Sequence, residues 1–359
     1  MPDESAFNIA VYAKSDVGIV RPGNEDNFLV LNLSTADTWT PETIQGEPPP
    51  TLTTFNQSHY GSVLAVTDGM GGALAGEVAS RLAVECVRDR LLELQASPVY
   101  SKFPFHERLR LAIELSNLYI NQMSLKRAEF AGMGATFTAV GLFNTTAYFA
   151  QVGDSRAYVI RQGRAQLVTR DQSLVGQLVQ AGHITEEEAE RHTYKNVILQ
   201  ALGASQEINV VIDRLTLRDL DILVMCSDGL SNKVRTEEIT EIVDKAPTLK
   251  EACEWLIKTA NDRGGEDNIT VLVAQFTGGK LQPLQDGDST PRLLHSTAPL
   301  SGGTAPLKAS DGDRWGAETV PRDPNLPYEI DLALIDDEED TIRPDRDTGQ
   351  PTEKLDREA

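Results

Sequence analysis

The sequence predicts an α+β fold: two central antiparallel sheets flanked by helices, in a layered α-β-β-α sandwich. Two observations carry that expectation. Short runs rich in Val, Ile, Phe and Thr follow one another closely, most clearly at residues 135–140, 147–151 and 157–160, with links of four to six residues. Links that short favour antiparallel, hairpin-like pairing. Longer segments carry apolar residues at roughly helical spacing, as with Leu82, Val84, Cys86, Val87, Leu91 and Leu94. Sheets and helices each need one apolar face covered, so the two stack in layers.

In chain order, strands are expected at 7–12, 27–33, 62–66, 135–142, 147–152, 157–161, 208–215, 221–226 and 269–276. Helices are expected at 75–94, 106–128, 174–181, 237–243 and 249–261. The run from Ile222 to Met225 is wholly apolar, which marks a strand buried on both faces. Residues 34–58 hold Pro48-Pro49-Pro50 and many Thr, and read as a surface loop inserted between strands. Glu186-Glu187-Glu188 suits a solvated helix start, favoured by the helix dipole. The composition changes after Thr277. Residues 278–359 hold 9 of the 18 prolines, 18 acidic and 9 basic residues, and the run Asp336-Asp337-Glu338-Glu339-Asp340. Such a segment cannot bury enough apolar surface to offset its ordering entropy, so it reads as a disordered tail behind a domain spanning 1–277.

Formal net charge is −21 and the sequence pI is about 4.6, with −9 in the tail and −12 in residues 1–277. That balance disfavours nucleic acid and anionic membranes as partners. Cys86, Cys226 and Cys253 are an odd number with no CxxC spacing, and read as small core hydrophobes rather than a disulfide framework. Met1-Pro2-Asp3-Glu4 is the wrong sign for a signal peptide, and no run of about 18 apolar residues exists to span a membrane. A cytoplasmic, monomeric protein is the expectation. His59, His106, His183, His192 and His295 lack ligand spacing and read as surface or loop residues.

Chemistry concentrates in five Asp-centred motifs: Arg21-Pro22-Gly23-Asn24-Glu25-Asp26-Asn27, Asp68-Gly69-Met70-Gly71-Gly72, Gly153-Asp154-Ser155-Arg156, Ser227-Asp228-Gly229 and Gly264-Gly265-Glu266-Asp267-Asn268. Most flank an apolar run, so each puts a carboxylate near a strand end. Taken singly, several are ordinary turns: Asp-Gly is a common turn pair, and Asp154 suits a hairpin turn. Taken together, carboxylates that meet without matching Lys or Arg repel unless a cation lies between them, and an all-oxygen set suits Mg²⁺ or Mn²⁺ rather than zinc.

These motifs, with Gly132-Met133-Gly134-Ala135-Thr136 between the second and third, follow in the order seen in bacterial PPM-type (protein phosphatase 2C-like) serine/threonine phosphatases, which residues 7–277 resemble. The resemblance implies hydrolysis of phosphoserine and phosphothreonine in proteins, plausibly the targets of a serine/threonine kinase, by a hydroxide that bridges two Mn²⁺ or Mg²⁺ ions. It implies that Asp68 bridges the ions, that Gly69 lends a backbone carbonyl, and that Asp228 and Asp267 hold the second ion. Asp154, with Asp228, takes a third, weaker ion. Arg21 clamps the substrate phosphate, and Glu25 and Asp26 hold metal-bound water. Residues 172–197 correspond to a mobile flap beside the site. The Gly132–Thr136 stretch reads as packing rather than chemistry. Met70 stands where eukaryotic relatives carry His, so it supplies no proton. A regulatory phosphatase dedicated to one partner protein and a pseudophosphatase binding module are the alternatives, though Asp68, Asp228 and Asp267 are all present. A two-metal nuclease would need a basic groove.

Overall fold

In the computed structural model the described residues are 7–42, 48–284, 291, 293 and 294. They form two stacked antiparallel sheets. In the first, the order is β10 (Arg164–Leu167), β9 (Arg156–Arg161), β12 (Ile222–Cys226), β13 (Ile269–Thr277), β1 (Asn8–Asp16) and β4 (Thr54–Asn56). In the second it is β11 (Val211–Thr216), β8 (Thr146–Val152), β7 (Phe137–Phe143), β5 (Ser62–Met70), β2 (Asp26–Asn32) and β3 (Thr38–Trp39), with β6 (Gly134–Ala135) on the end of β5.

The facing sides make one core. Ile9, Val11, Val159, Leu223, Leu272 and Phe276 of the first sheet meet Phe28, Val30, Leu64, Val66, Val140 and Phe149 of the second. Strands with apolar side chains on both faces need a second cover. α7 (Thr236–Lys245) and α8 (Leu249–Asp262) supply it for the first sheet, burying Ile239, Val243, Leu256 and Ile257 against Tyr158, Ile160, Val224 and Val273. α2 (Ala73–Ala96) and α3 (Phe105–Lys126) lie against the second sheet. This is the expected α-β-β-α order. Short α1 (Pro50–Thr53), α4 (Leu174–Gln180), α5 (Glu186–Glu190) and α6 (Asp228–Ser231) complete the set among the described residues. Among the described residues, no helix is long and apolar enough to cross a membrane.

Four sequence expectations change. The segment 34–58 is not only a surface loop. Trp39 and Leu52 are buried in the inter-sheet core, Trp39 sits edge-on to Phe28 and Tyr12, and β4 pairs with the edge of β1. Its few apolar side chains are what the composition hid. The chain also stays packed beyond Thr277. Leu281 joins the core, Gln282 bridges to Arg218, and Leu294 exchanges two backbone hydrogen bonds with Arg214 (3.0 and 3.2 Å) on β11, at the edge of its sheet. The rest of the tail, with Asp336–Asp340 and His295, lies outside the described residues. Cys226 and Cys253 are buried, but Cys86 is only half-buried on α2. His106, on the first turn of α3, stacks on Tyr148 and pairs with Glu107.

Strand register decides where the motifs go. β1 and β13 pair over their full length, with Asp16 opposite Ile269, so loops 17–25 and 263–268 emerge side by side. β2 and β5 place Asp26 directly opposite Asp68. β12 places Cys226 opposite both Arg156 and Val271, so the segments around Asp154, Asp228 and Asp267 leave at the same end. The link between β8 and β9 is not a hairpin. β8 pairs with β7 and β11, whereas β9 pairs with β10 and β12, so Gly153-Asp154-Ser155 carries the chain from one sheet to the other.

Candidate active site

Asp68 lies within the last three residues of β5, not beyond the strand, since pairing continues through Gly69 and Met70 onto β6. Thr136 fixes it. The Asp68 N–H donates to Thr136 Oγ1 (2.9 Å), and the Thr136 N–H donates to the Asp68 carbonyl (2.9 Å). The same hydroxyl lies 2.8 Å from Ser155 Oγ, tying Asp68 to the crossover that holds Asp154. Gly153 turns that crossover with φ +98°, a left-handed value, and packs on Thr136 so closely that a Cβ would sit 2.7 Å from its methyl. The Gly153 N–H donates to Gln172 Oε1 (2.8 Å), and Arg156 forks onto Asp171 through three contacts of 2.7–3.1 Å.

Asp228 opens α6 directly after β12. Asn232 donates to its Oδ2 (3.1 Å). Gly229 allows α6 to press against the start of β13, where a Cβ would lie 1.9 Å from the Asn268 carbonyl, and this brings Asp228 beside Asp267. Asn268 is the stitch between the termini. Its amide donates to the carbonyls of Val17 and Gly23 (both 2.9 Å), and its Oδ1 accepts from the Glu25 N–H (2.8 Å). Ser227 Oγ donates to Asp26 Oδ2 (2.6 Å) and accepts from the Thr270 N–H (3.0 Å). The Gly69 N–H donates to the Glu25 carbonyl (3.0 Å), and the Glu25 carboxylate lies over Gly76. Thr136, Ser227 and Asn268 therefore build the site, although they carry no metal-binding signal of their own. Ser227 and Asn268 adjoin Asp228 and Asp267 in the chain, which was their only clue, and Thr136 lies in the stretch read as packing.

The electrostatics are one-sided. Burial pushes the Asp68 carboxyl well above the usual carboxylate range, and Asp26, Asp228, Asp154 and Asp267 push it the same way. Burial raises Asp26 to about 7 even though Ser227 and Thr270 hydroxyls favour its ionised form. Burial and the charge of Asp228 raise Asp154 to about 7. Asp228 is raised by burial and Asp267, and a hydrogen bond shared with Asp68 offsets part of that. Glu25 is raised by burial against the pull of Arg21. The one arginine in the cluster is Arg21, whose guanidinium sits 3.0 Å from both oxygens of Asp267. It makes no hydrogen bond to Asp26, Asp68, Asp154 or Asp228, although its charge offsets part of the rise at Asp228, as that of Arg156 does at Asp154.

Buried oxygens on Asp26, Asp154 and Asp228 have no hydrogen-bond partner. A buried polar atom left so is costly, and a buried charge more so. Among the described residues no three such side chains meet in ligand geometry. Hard oxygen donors, orphaned and mutually repelling, fit hard divalent cations.

The protein phosphatase 2C family model matches residues 52–273, well over half of the chain. The chain belongs to the protein phosphatase 2C family. The match covers Asp68, Asp154, Asp228 and Asp267 and stops short of Arg21, Glu25 and Asp26. The serine/threonine phosphatase Stp of Listeria monocytogenes is 37% identical over 221 residues, covering 62% of this chain and 87% of Stp. The crystal structure of the Mycobacterium tuberculosis serine/threonine phosphatase PstP/Ppp superposes with a TM-score of 0.60 at 31% identity, covering 76% of this chain and 100% of that one. The PstP catalytic domain in complex with two manganese ions gives 0.59 at 30% identity, with the same coverage. The layered sandwich is thus the fold of this family.

The resemblance implies a flap at 172–197. There α4 and α5 form an arm pinned at its base, where the Leu174 N–H donates to the Val197 carbonyl and the Leu199 N–H to the Gln172 carbonyl (2.9 and 2.8 Å). Because Gln172 also holds Gly153, the base of the arm is joined to the Asp154 crossover.

Proposed function

We propose that the carboxylate end of the sandwich hydrolyses phosphoserine and phosphothreonine esters in proteins with Mn²⁺ or Mg²⁺ as cofactor. The observation that carries this is the set of partnerless buried oxygens on Asp26, Asp154 and Asp228 around Asp68, in a protein phosphatase 2C chain. Asp68, the Gly69 carbonyl, Asp228 and Asp267 would hold two ions, and Asp154 a weaker third. When bound, the ions supply charge neutralisation and activated water that these side chains lack. The protein's own work is to position. Thr136, Ser227 and Asn268 lock the carboxylates through backbone and side-chain hydrogen bonds. Glu25 and Asp26 accept hydrogen bonds from water at the site. Arg21 offers a planar fork that matches phosphate oxygens at the exposed rim. Met70 carries no proton to donate.

The proposal extends to phosphoproteins made by a serine/threonine kinase, to a monomer, and to a cytoplasmic setting, which two buried free thiols support. The charge of −12 on residues 1–277 argues against nucleic acid and anionic membranes. The test is turnover of a phosphothreonine peptide and of p-nitrophenyl phosphate. Activity should vanish in excess EDTA and return with Mn²⁺, while DNA is left intact. Full turnover in protein shown to be free of metal would overturn the reading.

A further inference from the structure

Arg21 is an exposed side chain on a long stem, so its own packing does not fix it. Where its guanidinium falls depends on the loop that carries it, residues 17–25. That loop is laid on loop 263–268, backbone to backbone. The Ile19 and Val20 N–H groups donate to the Gly265 carbonyl (2.8 and 3.2 Å). Gly18, with φ +78°, lies so close to Asp267 that a Cβ would sit 2.2 Å from its carbonyl oxygen. Three residues further on, Arg21 meets the Asp267 carboxylate.

Two side chains outside the carboxylate cluster brace this junction. Asp16 ends β1, and its Oδ1 accepts from the Gly18 N–H (3.0 Å), an Asx turn that opens the loop. The same oxygen accepts from Nδ2 of Asn261 (3.0 Å), on the last turn of α8. The Asn261 carbonyl accepts from the Gly264 N–H (2.9 Å), so Asn261 also turns the chain into 263–268. Asn261 Oδ1 is buried without a hydrogen-bond partner and stands 2.4 Å from where a Cβ on Gly265 would be. A buried amide oxygen left unpaired costs stability. An apolar residue of the same shape would avoid that cost, so packing alone does not account for Asn261. Its contact with Asp16 does, because it ties α8 and loop 263–268 to the strand end that launches the Arg21 loop.

We propose that Asp16 and Asn261 are positioning residues for Arg21. They hold loop 17–25 on loop 263–268, so that the guanidinium stays at the Asp267 side of the carboxylate cluster, where a substrate phosphate would meet it. Both act through the loop rather than on the phosphate. The inference rests on the phosphatase reading of the site.

Steady-state kinetics of the Mn²⁺-loaded full chain on a phosphothreonine peptide test it. Asn261→Leu keeps the shape and removes both the link and the unpaired oxygen. Its Tm should hold, while KM rises about fivefold, as for one lost hydrogen bond, and kcat stays within about twofold. Asp16→Ala should raise KM likewise, and Asp16→Asn, which keeps the accepting oxygen, should restore it. In an Arg21→Ala background, where KM is already raised, neither substitution should raise it further, whereas a purely structural residue would multiply the two effects. Multiplied effects would overturn the proposal, as would a normal KM in Asn261→Leu. Should Asp16→Ala not fold, Asn261→Leu carries the same comparison. Amide exchange in the metal-free chain needs no turnover. The Ile19 and Val20 amides should exchange faster in Asn261→Leu than in wild type, with Thr270–Ala274 unchanged. Faster exchange in a wild type that shows no Mn²⁺-dependent turnover would sink the phosphatase reading and leave the brace standing. Equal exchange at those two amides would overturn the brace whatever the turnover.

Discussion

The two ends of β12 carry the same residue in opposite circumstances. Asp221, just before the strand, is completely buried and fully engaged. Arg161 donates to both of its oxygens (2.8 and 2.7 Å), and the Arg218 N–H adds a third bond (2.8 Å). Asp228, just after the strand, is half-buried, yet its one enclosed oxygen has no partner and the neighbour that raises its pKa is another carboxylate, Asp267. One end satisfies its charge within the chain. The other leaves charge over, which folding alone would not favour. A protein retains such an arrangement where a ligand completes it, and that contrast separates the structural aspartate from the functional one more sharply than either motif does.

Substitutions on the strand should break the contrast cleanly. Asp228→Ala, and likewise Asp68→Ala or Asp267→Ala, should lower turnover by at least about a thousandfold, since an ion pair that loses a ligand no longer neutralises the substrate phosphate. Metal-free Tm should stay level or rise, because like charges have been removed. A normal rate with two tightly bound ions in Asp68→Ala would show the ligand assignment to be wrong. Asp221→Ala should do the reverse. It strands the buried Arg161 and should destabilise by about 3–5 kcal/mol, while any protein still folded keeps its kcat. Denaturant melts beside single-turnover assays separate the two outcomes.

A smaller effect concerns where the domain ends. Truncation after Leu294 should leave Tm close to that of the full chain. Truncation after Thr277 removes buried Leu281 and the Arg214–Leu294 pairing, and should cost about 2–3 kcal/mol. Equal melting temperatures for the two would return the boundary to Thr277.

The smallest effect is a pH slope. Asp26 and Asp154 have folded pKa values raised to about 7, against roughly 3.9 in an unfolded chain. A raised carboxyl favours the folded state while protonated, so its contribution is complete below about pH 4 and is lost as pH climbs toward 7. Metal-free protein should therefore lose stability across that window, and saturating Mn²⁺ should flatten the slope. Asp26→Asn should remove part of the slope without metal. A metal-free Tm that rises through this range would show that the cluster is not under the charge strain described.

Much of the layered fold was legible, because alternation and helical spacing are local and repeat. The long strands and the helices α2, α3, α4, α7 and α8 lie where periodicity put them. Segment 34–58 was misread because Trp39 and Leu52 are isolated apolar residues in a polar, Pro-rich stretch, and only their distant partners show that they are core. The β8–β9 link looked like a hairpin because a short link says nothing about which sheet the next strand joins. In the site, each Asp was visible beside its glycines, whereas the roles of Thr136, Ser227 and Asn268 depend on hydrogen bonds spanning as many as 251 residues.

By itself, then, the sequence determined which residues are acidic, which runs extend or coil, and that an unbalanced carboxylate set must exist somewhere. Composition and periodicity are properties of neighbours along the chain. Tertiary structure alone decided that the carboxylates share one end, because pairing register sets which loops emerge together. It also decided that Asp221 is satisfied while Asp228 is not. Whether a buried charge finds its counterion depends on what packs against it from afar, and no window of sequence contains that.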